Sequence, residues 1–241
     1  ALERAKEQGI GHYFVPRYTR VVDTAESKDN INKAYNLIST SKVRNEMIID
    51  DVITCVARKQ TPVILTRFKE HAKFLHDALK EKADHVFLLY GDNSDKENAE
   101  IRVKLKQIPE NESLILVATG QKIGEGFDFP RLDVLMLAAP VSFEGRLEQY
   151  VGRLNRDYVG KEAVYVYDYI DSHVRYFDKM YAKRLRTYRK MGFSIWTQEL
   201  QPKQIINAIF DSVNYTEKFE QDIVESEKMV VISSPDIRQD K

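Results

Sequence analysis

Two arginines three residues apart, Arg153 and Arg156, stand in "QYVGRLNRDYVGK" behind Gly152 and Gln149. Positions three apart share a helix face, so the pair reads as one doubly charged surface, suited to a phosphate or to water. A second stretch, "ATGQKIGEGFDFP" (Ala118 to Pro130), combines the Thr119 hydroxyl and the Lys122 charge with Gly120, Gly124 and Gly126. Glycines in such a loop let backbone amides approach a phosphate closely, although they also serve as plain turn residues. Asp128 is the nearby carboxylate that could hold a ribose or a water. A third stretch, Thr66-Arg67-Phe68, adds a hydroxyl, a cation and an aromatic ring.

The elements around these stretches alternate. "PVILT", "VFLLY", "SLILVAT", "DVLMLAAP" and "AVYVYDYI" are short apolar runs, two of them apolar on both faces as in a covered parallel sheet. Helical patterns separate them, and Ser94 with Glu97 forms a capping box. Alternation of this kind predicts a doubly wound α/β domain over about residues 60–171. Ligands of such sheets bind beyond the carboxyl ends of the strands, and all three polar stretches are expected there.

The flanks differ. Residues 1–59 read as an extended arm, "HYFVPRYTRVV", followed by helix. Residues 172–241 read as a long basic helix and an acidic tail. That helix carries an apolar stripe of Val174, Phe177, Tyr181, Leu185 and Tyr188. Its other positions, Lys183 and Arg184 among them, suit either a DNA-backbone patch or an ordinary charged outer face. "MIIDD" (Met47 to Asp51) mimics a magnesium-binding acid pair, but Val43, Met47, Ile48, Val52 and Val56 have helical spacing, which predicts Asp50 and Asp51 on a solvated face.

Composition excludes more than it proves. The 241 residues carry 37 basic and 37 acidic side chains, so any basic surface must come from local clustering. A single cysteine, Cys55, forbids an internal disulfide and fits a reducing, cytoplasmic setting. No apolar run reaches the roughly 20 residues of a membrane span. The five histidines and Cys55 lack metal-ligand spacing, and the start without Met suggests a fragment. No G-x-x-x-x-G-K-[ST] loop exists: "VGKE" has Asn155 in place of the first glycine and Glu162 in place of the hydroxyl residue, so it reads as a turn into the last strand. The chain therefore cannot cradle a triphosphate alone. Gly120, Gly124 and Gly126 also fail the G-x-G-x-x-G spacing of a dinucleotide enzyme.

In this order the three stretches resemble motifs IV, V and VI of the second RecA-like lobe of superfamily 2 helicases, the last in the form Q-x-x-G-R-x-x-R. Leu154 and Asn155 depart from the small residue and glycine common there. The resemblance implies a RecA-like, mostly parallel sheet with helices on both faces, plus a helical C-terminal extension. It implies ATP with Mg2+ bound chiefly by an absent N-terminal lobe, with Arg156 as arginine finger, Arg153 beside it and Gln149 positioning water or nucleotide. Glu125, Gly126 and Asp128 would face the nucleotide. Thr66, Thr119, Gly120 and Lys122 would touch a nucleic-acid backbone, and Phe68 could stack on a base or pack inside. The form of motif V favours DNA over RNA. A catalytically inert RecA-like binding module is the alternative. "ESEKMVVISSPDI" resembles the first strand of phospholipase D-like domains, or is a plain edge strand.

Overall fold

The computed structural model describes residues 9–120, 129–141, 144–156 and 158–196, which lie in one compact unit. Its strands are β1 (Gly11–Tyr18), β2 (Pro62–Thr66), β3 (His85–Leu89), β4 (Leu114–Thr119), β5 (Val134–Leu137), β6 (Ala163–Ile170) and β7 (Ser194–Ile195). They form one sheet in the order β3-β4-β2-β5-β6-β1-β7, and every pair is parallel. The described helices are α1 (Ala25–Asp29), α2 (Ile31–Thr40), α3 (Lys42–Ala57), α4 (Lys69–Leu79), α5 (Asp95–Gln107), α6 (Glu144–Leu154) and α7 (Arg175–Lys190).

Strand periodicity sorts the core into two layers. Val63, Leu65, Leu135 and Leu137 join α6 and α7 on one face. Ile64, Ile115, Val134 and Met136 join α3 and α4 on the other. This is the expected RecA-like doubly wound architecture, and the Ser94 capping box opens α5 as its sequence predicts.

The flanks are more integrated than the sequence suggests. The N-terminal arm is β1, hydrogen-bonded along its whole length to β6. The basic helix α7 lies on the sheet, and β7 after it pairs with β1. Residues 197–241, with the resemblance to phospholipase D-like domains, lie outside the described residues.

"MIIDD" is helical, within α3, but Asp51 is not solvated. It is 9% exposed, pairs with Arg17 Nε at 2.9 Å and accepts from the Tyr169 hydroxyl at 3.0 Å. Burial raises its carboxyl pKa, opposed by Arg17. On the same helix Arg44 is fully buried against Asp171.

Candidate nucleotide and nucleic-acid site

A helix joining adjacent parallel strands must run back against them. α6 therefore starts near the carboxyl end of β5 and travels about 16 Å, at 1.5 Å per residue, toward the amino end of β6. This divides the expected site. Thr66, Thr119 and Gly120 sit at the carboxyl edge of the sheet, whereas Arg153 and Arg156 sit at the far end of α6, toward the amino edge. The expectation that all three stretches gather at the carboxyl edge fails on that geometry.

The arginines also do not share a helix face in the simple sense, because α6 stops at Leu154 and Arg156 lies beyond it. Arg153 is half-buried and Arg156 exposed. Lys161 organises this helix end. Its Nζ donates to the carbonyls of Leu154 (2.8 Å) and Arg156 (3.1 Å), and also to that of Pro130. Helix ends leave carbonyls unpaired and carry partial negative charge, which an ammonium satisfies on both counts. "VGK" is thus a turn, with Gly160 at φ +80°, whose lysine fixes the backbone on both sides of Asn155.

Asn155 is buried, and its Oδ1 accepts from His12 Nε2 of β1 at 2.8 Å. Asn155, at the place where the helicase motif it resembles carries glycine, therefore has a structural role here: it ties the arginine loop to the strand two places across the sheet order. Nothing in the sequence pattern alone points to His12 or Lys161.

One contact joins the second and third stretches. The Tyr150 hydroxyl of α6 donates to the Gly120 carbonyl at 3.1 Å, and a Cβ on Gly120 would come within 2.6 Å of that hydroxyl. The constraint at Gly120 is thus close approach rather than turn geometry. Burial pushes the Tyr150 pKa up, which keeps the phenol a neutral donor. Gly152 is the opposite case: a Cβ there would meet nothing within 4 Å. Lys122, Gly124, Glu125, Gly126 and Asp128 lie outside the described residues.

At the carboxyl edge the two threonines face inward. Thr66 is 3% exposed, and its Oγ1 lies 2.6 Å from His71 Nδ1, while His71 Nε2 lies 2.9 Å from Asn45 Oδ1. Asn45 Oδ1 can only accept, so Nε2 carries the proton and Thr66 donates to Nδ1. Burial lowers the His71 pKa to about 3, which keeps that tautomer neutral. The Thr66 hydroxyl is committed to this chain and cannot serve a phosphate. Thr119 is similarly buried, at 9% exposure. Phe68 is half-buried and packs edge-on to Tyr35 at 6.4 Å, which favours packing over base stacking. Of the Thr66-Arg67-Phe68 stretch, the exposed member is Arg67, stacked 4.4 Å over the Tyr35 ring.

Arg184 is likewise corrected. It is 3% exposed, grips Asp168 through Nε (2.7 Å) and Nη2 (2.9 Å), and donates to the Val141 carbonyl. Tyr188 donates to the same carboxylate at 3.0 Å. A buried guanidinium so engaged cannot reach nucleic acid. Lys183, its neighbour, is exposed.

Cys55 is buried, and burial pushes its thiol up to about 12, so it is no nucleophile. Among the described residues no group of three or more His, Cys, Asp or Glu side chains could hold a metal ion, and no helix is long and apolar enough to cross a membrane.

The fold is shared with other proteins. The chain resembles the C-terminal RecA-like lobe of superfamily 2 helicases and translocases. In structure it is similar to UvsW of phage T4, with a TM-score of 0.60 and 19% identity, over 78% of this chain and 41% of that one. A Sulfolobus solfataricus SWI2/SNF2 ATPase core in complex with dsDNA gives a TM-score of 0.53 and 13% identity, over 75% of this chain and 46% of that one. In sequence it is 28% identical over 172 residues to transcript termination protein A18 of Yaba-like disease virus. That match covers 67% of this chain and 35% of the viral protein, so the chain spans about a third of the relative's length. No protein-family model matches the chain.

Proposed function

We propose that this chain is the second motor lobe of an ATP-dependent superfamily 2 helicase or translocase of a reducing, cytoplasmic setting, inactive without the lobe that carries a P-loop. Its partners are that N-terminal lobe and a nucleic acid, with DNA favoured. The observation that carries the reading is the end of α6, where Gly152 faces open space between Gln149 and Arg153 and Lys161 holds the Arg156 carbonyl.

Arginines one and four residues past a glycine whose added Cβ would meet nothing within 4 Å suit a polyphosphate. ATP with Mg2+, when bound between the lobes, supplies the phosphoryl group that is transferred to water. Arg156 serves as the arginine finger, offsetting negative charge as it develops, and Arg153 reinforces it. A fixed backbone lowers the cost of orienting that guanidinium. Gln149 orients water or nucleotide, and Glu125, Gly126 and Asp128 serve the nucleotide as well. Gly120 and Lys122, with Thr119 through its backbone, form the nucleic-acid track. Contacts of that kind position a strand without reading its sequence.

In the polypeptide carrying both lobes, Arg156→Ala is expected to lower ATP turnover by about 10³-fold or more, with ATP binding retained. Turnover equal to the parent's removes the arginine-finger role.

A further inference from the structure

The outer face of α7 collects cations that lie outside the three motif stretches. Arg175, Lys179, Lys183, Arg186 and Lys190 follow one another at intervals of three or four residues and are all exposed. That spacing sets them on one stripe, with a cation about every 4.5–6 Å over about 22 Å of helix. The buried side of the helix is occupied by Phe177, Arg184 and Tyr188, so the orientation of the stripe is fixed by packing.

The stripe runs into a shallow cavity of about 400 Å³ at the start of α7, whose lining includes Lys28, His173, Arg175 and Lys179. Two carboxylates share it. Asp23 is engaged, accepting from the Arg175 amide at 2.8 Å and from the Ser27 hydroxyl at 2.5 Å. Asp178 lies at the margin of the stripe. At the far end Lys190 contacts Glu148 at 3.1 Å. In a chain whose charges sum to zero, a line of five cations concentrates a positive potential that the composition as a whole does not have.

We infer that the outer face of α7 and the cavity at its start form a second phosphate-backbone site, which holds nucleic acid outside the motif loops. A linear, regularly spaced row of Lys and Arg with no exposed aromatic ring on it fits repeated phosphates rather than bases. The site binds without sequence preference. It deepens the motor-lobe reading by giving the strand a contact independent of ATP chemistry.

The test uses the full 241-residue chain and a fluorescein-labelled 30-base-pair DNA duplex, followed by anisotropy over a salt series. The triple variant Lys179→Gln, Lys183→Gln, Arg186→Gln is compared with Lys80→Gln, Lys104→Gln, Lys106→Gln, which removes the same charge from other exposed positions. The first should lose about tenfold or more in affinity and about 2–3 from the log–log salt slope, at roughly 0.9 per phosphate contact, with its thermal midpoint unchanged. The control triple should lose little. Equal losses in both triples, or none in either, overturn the site. So does displacement of the duplex by poly-glutamate as effective as by unlabelled DNA, which would make the ridge an acidic-protein surface. The duplex titration contains neither ATP nor the P-loop lobe, so a failure of the arginine-finger reading leaves this result standing.

Discussion

Arg184 on α7 and Arg156 at the end of α6 differ in what the fold holds. For Arg184 it holds the side chain: 3% exposed, with two hydrogen bonds to Asp168 and a third to the Val141 carbonyl. For Arg156 it holds the backbone, through Lys161, and leaves the residue exposed. A guanidinium inside the lobe ties β6, the loop after β5 and α7 together. Residue type is the same in both cases, and burial and contacts tell them apart.

That contrast sets the largest expected effect. Arg184→Ala leaves the Asp168 carboxylate buried without its cation and should cost about 3–5 kcal/mol. For a unit of this size that is a fall in thermal midpoint of about 6–20 °C, read by calorimetry. Arg156→Ala should stay within about 0.5 kcal/mol of the parent. Equal destabilisation by the two changes would mean that the division into an inner and an outer arginine is wrong.

Lys161→Ala tests the base from which Arg156 is presented. Loss of the ammonium leaves the Leu154, Arg156 and Pro130 carbonyls without that donor, at a cost of about 2 kcal/mol. In the two-lobe polypeptide kcat should fall about tenfold or more while the KM for ATP changes little, because a displaced catalytic group affects the reacting geometry. A lowered thermal midpoint with kcat per folded molecule unchanged would reduce Lys161 to a structural cap.

Much of the frame was legible because it rests on local pattern. "PVILT" and "AVYVYDYI" are strands with the residues expected, and the helical spacing in "MIIDD" overrides its resemblance to an acid pair. The polar residues inside the lobe were legible in principle and misjudged by type. Arg184 falls in the row Phe177, Tyr181, Arg184, Tyr188, and Asp51 in the row Arg44, Ile48, Asp51, Cys55, each at the spacing of a buried stripe. A charge in such a row predicts a buried partner, and each has one. What local pattern does not carry is pairing at long range. That β1 lies against β6, and so brings His12 to Asn155, depends on contacts 143 residues apart. The direction of α6, which parts the arginines from the carboxyl-edge loops, depends on β5 and β6 being parallel neighbours.

The smallest effect is the most discriminating, because stability and function should move in opposite directions. Gly152 sits in α6, where glycine is less favourable than alanine by about 0.5–1 kcal/mol, and an added methyl would meet nothing within 4 Å. At Gly120 the same exchange would force the Tyr150 hydroxyl, 2.6 Å from the added Cβ, to move. Gly152→Ala should therefore raise the thermal midpoint of the isolated chain by about 1–4 °C. If the bare helix surface exists for close approach of a nucleotide and the other lobe, the same methyl should lower ATP turnover in the two-lobe polypeptide. Turnover that is unchanged, with the midpoint raised, would show that nothing comes close to Gly152 during the reaction. The α6 end would then lose the observation that most favours a nucleotide across from Arg153.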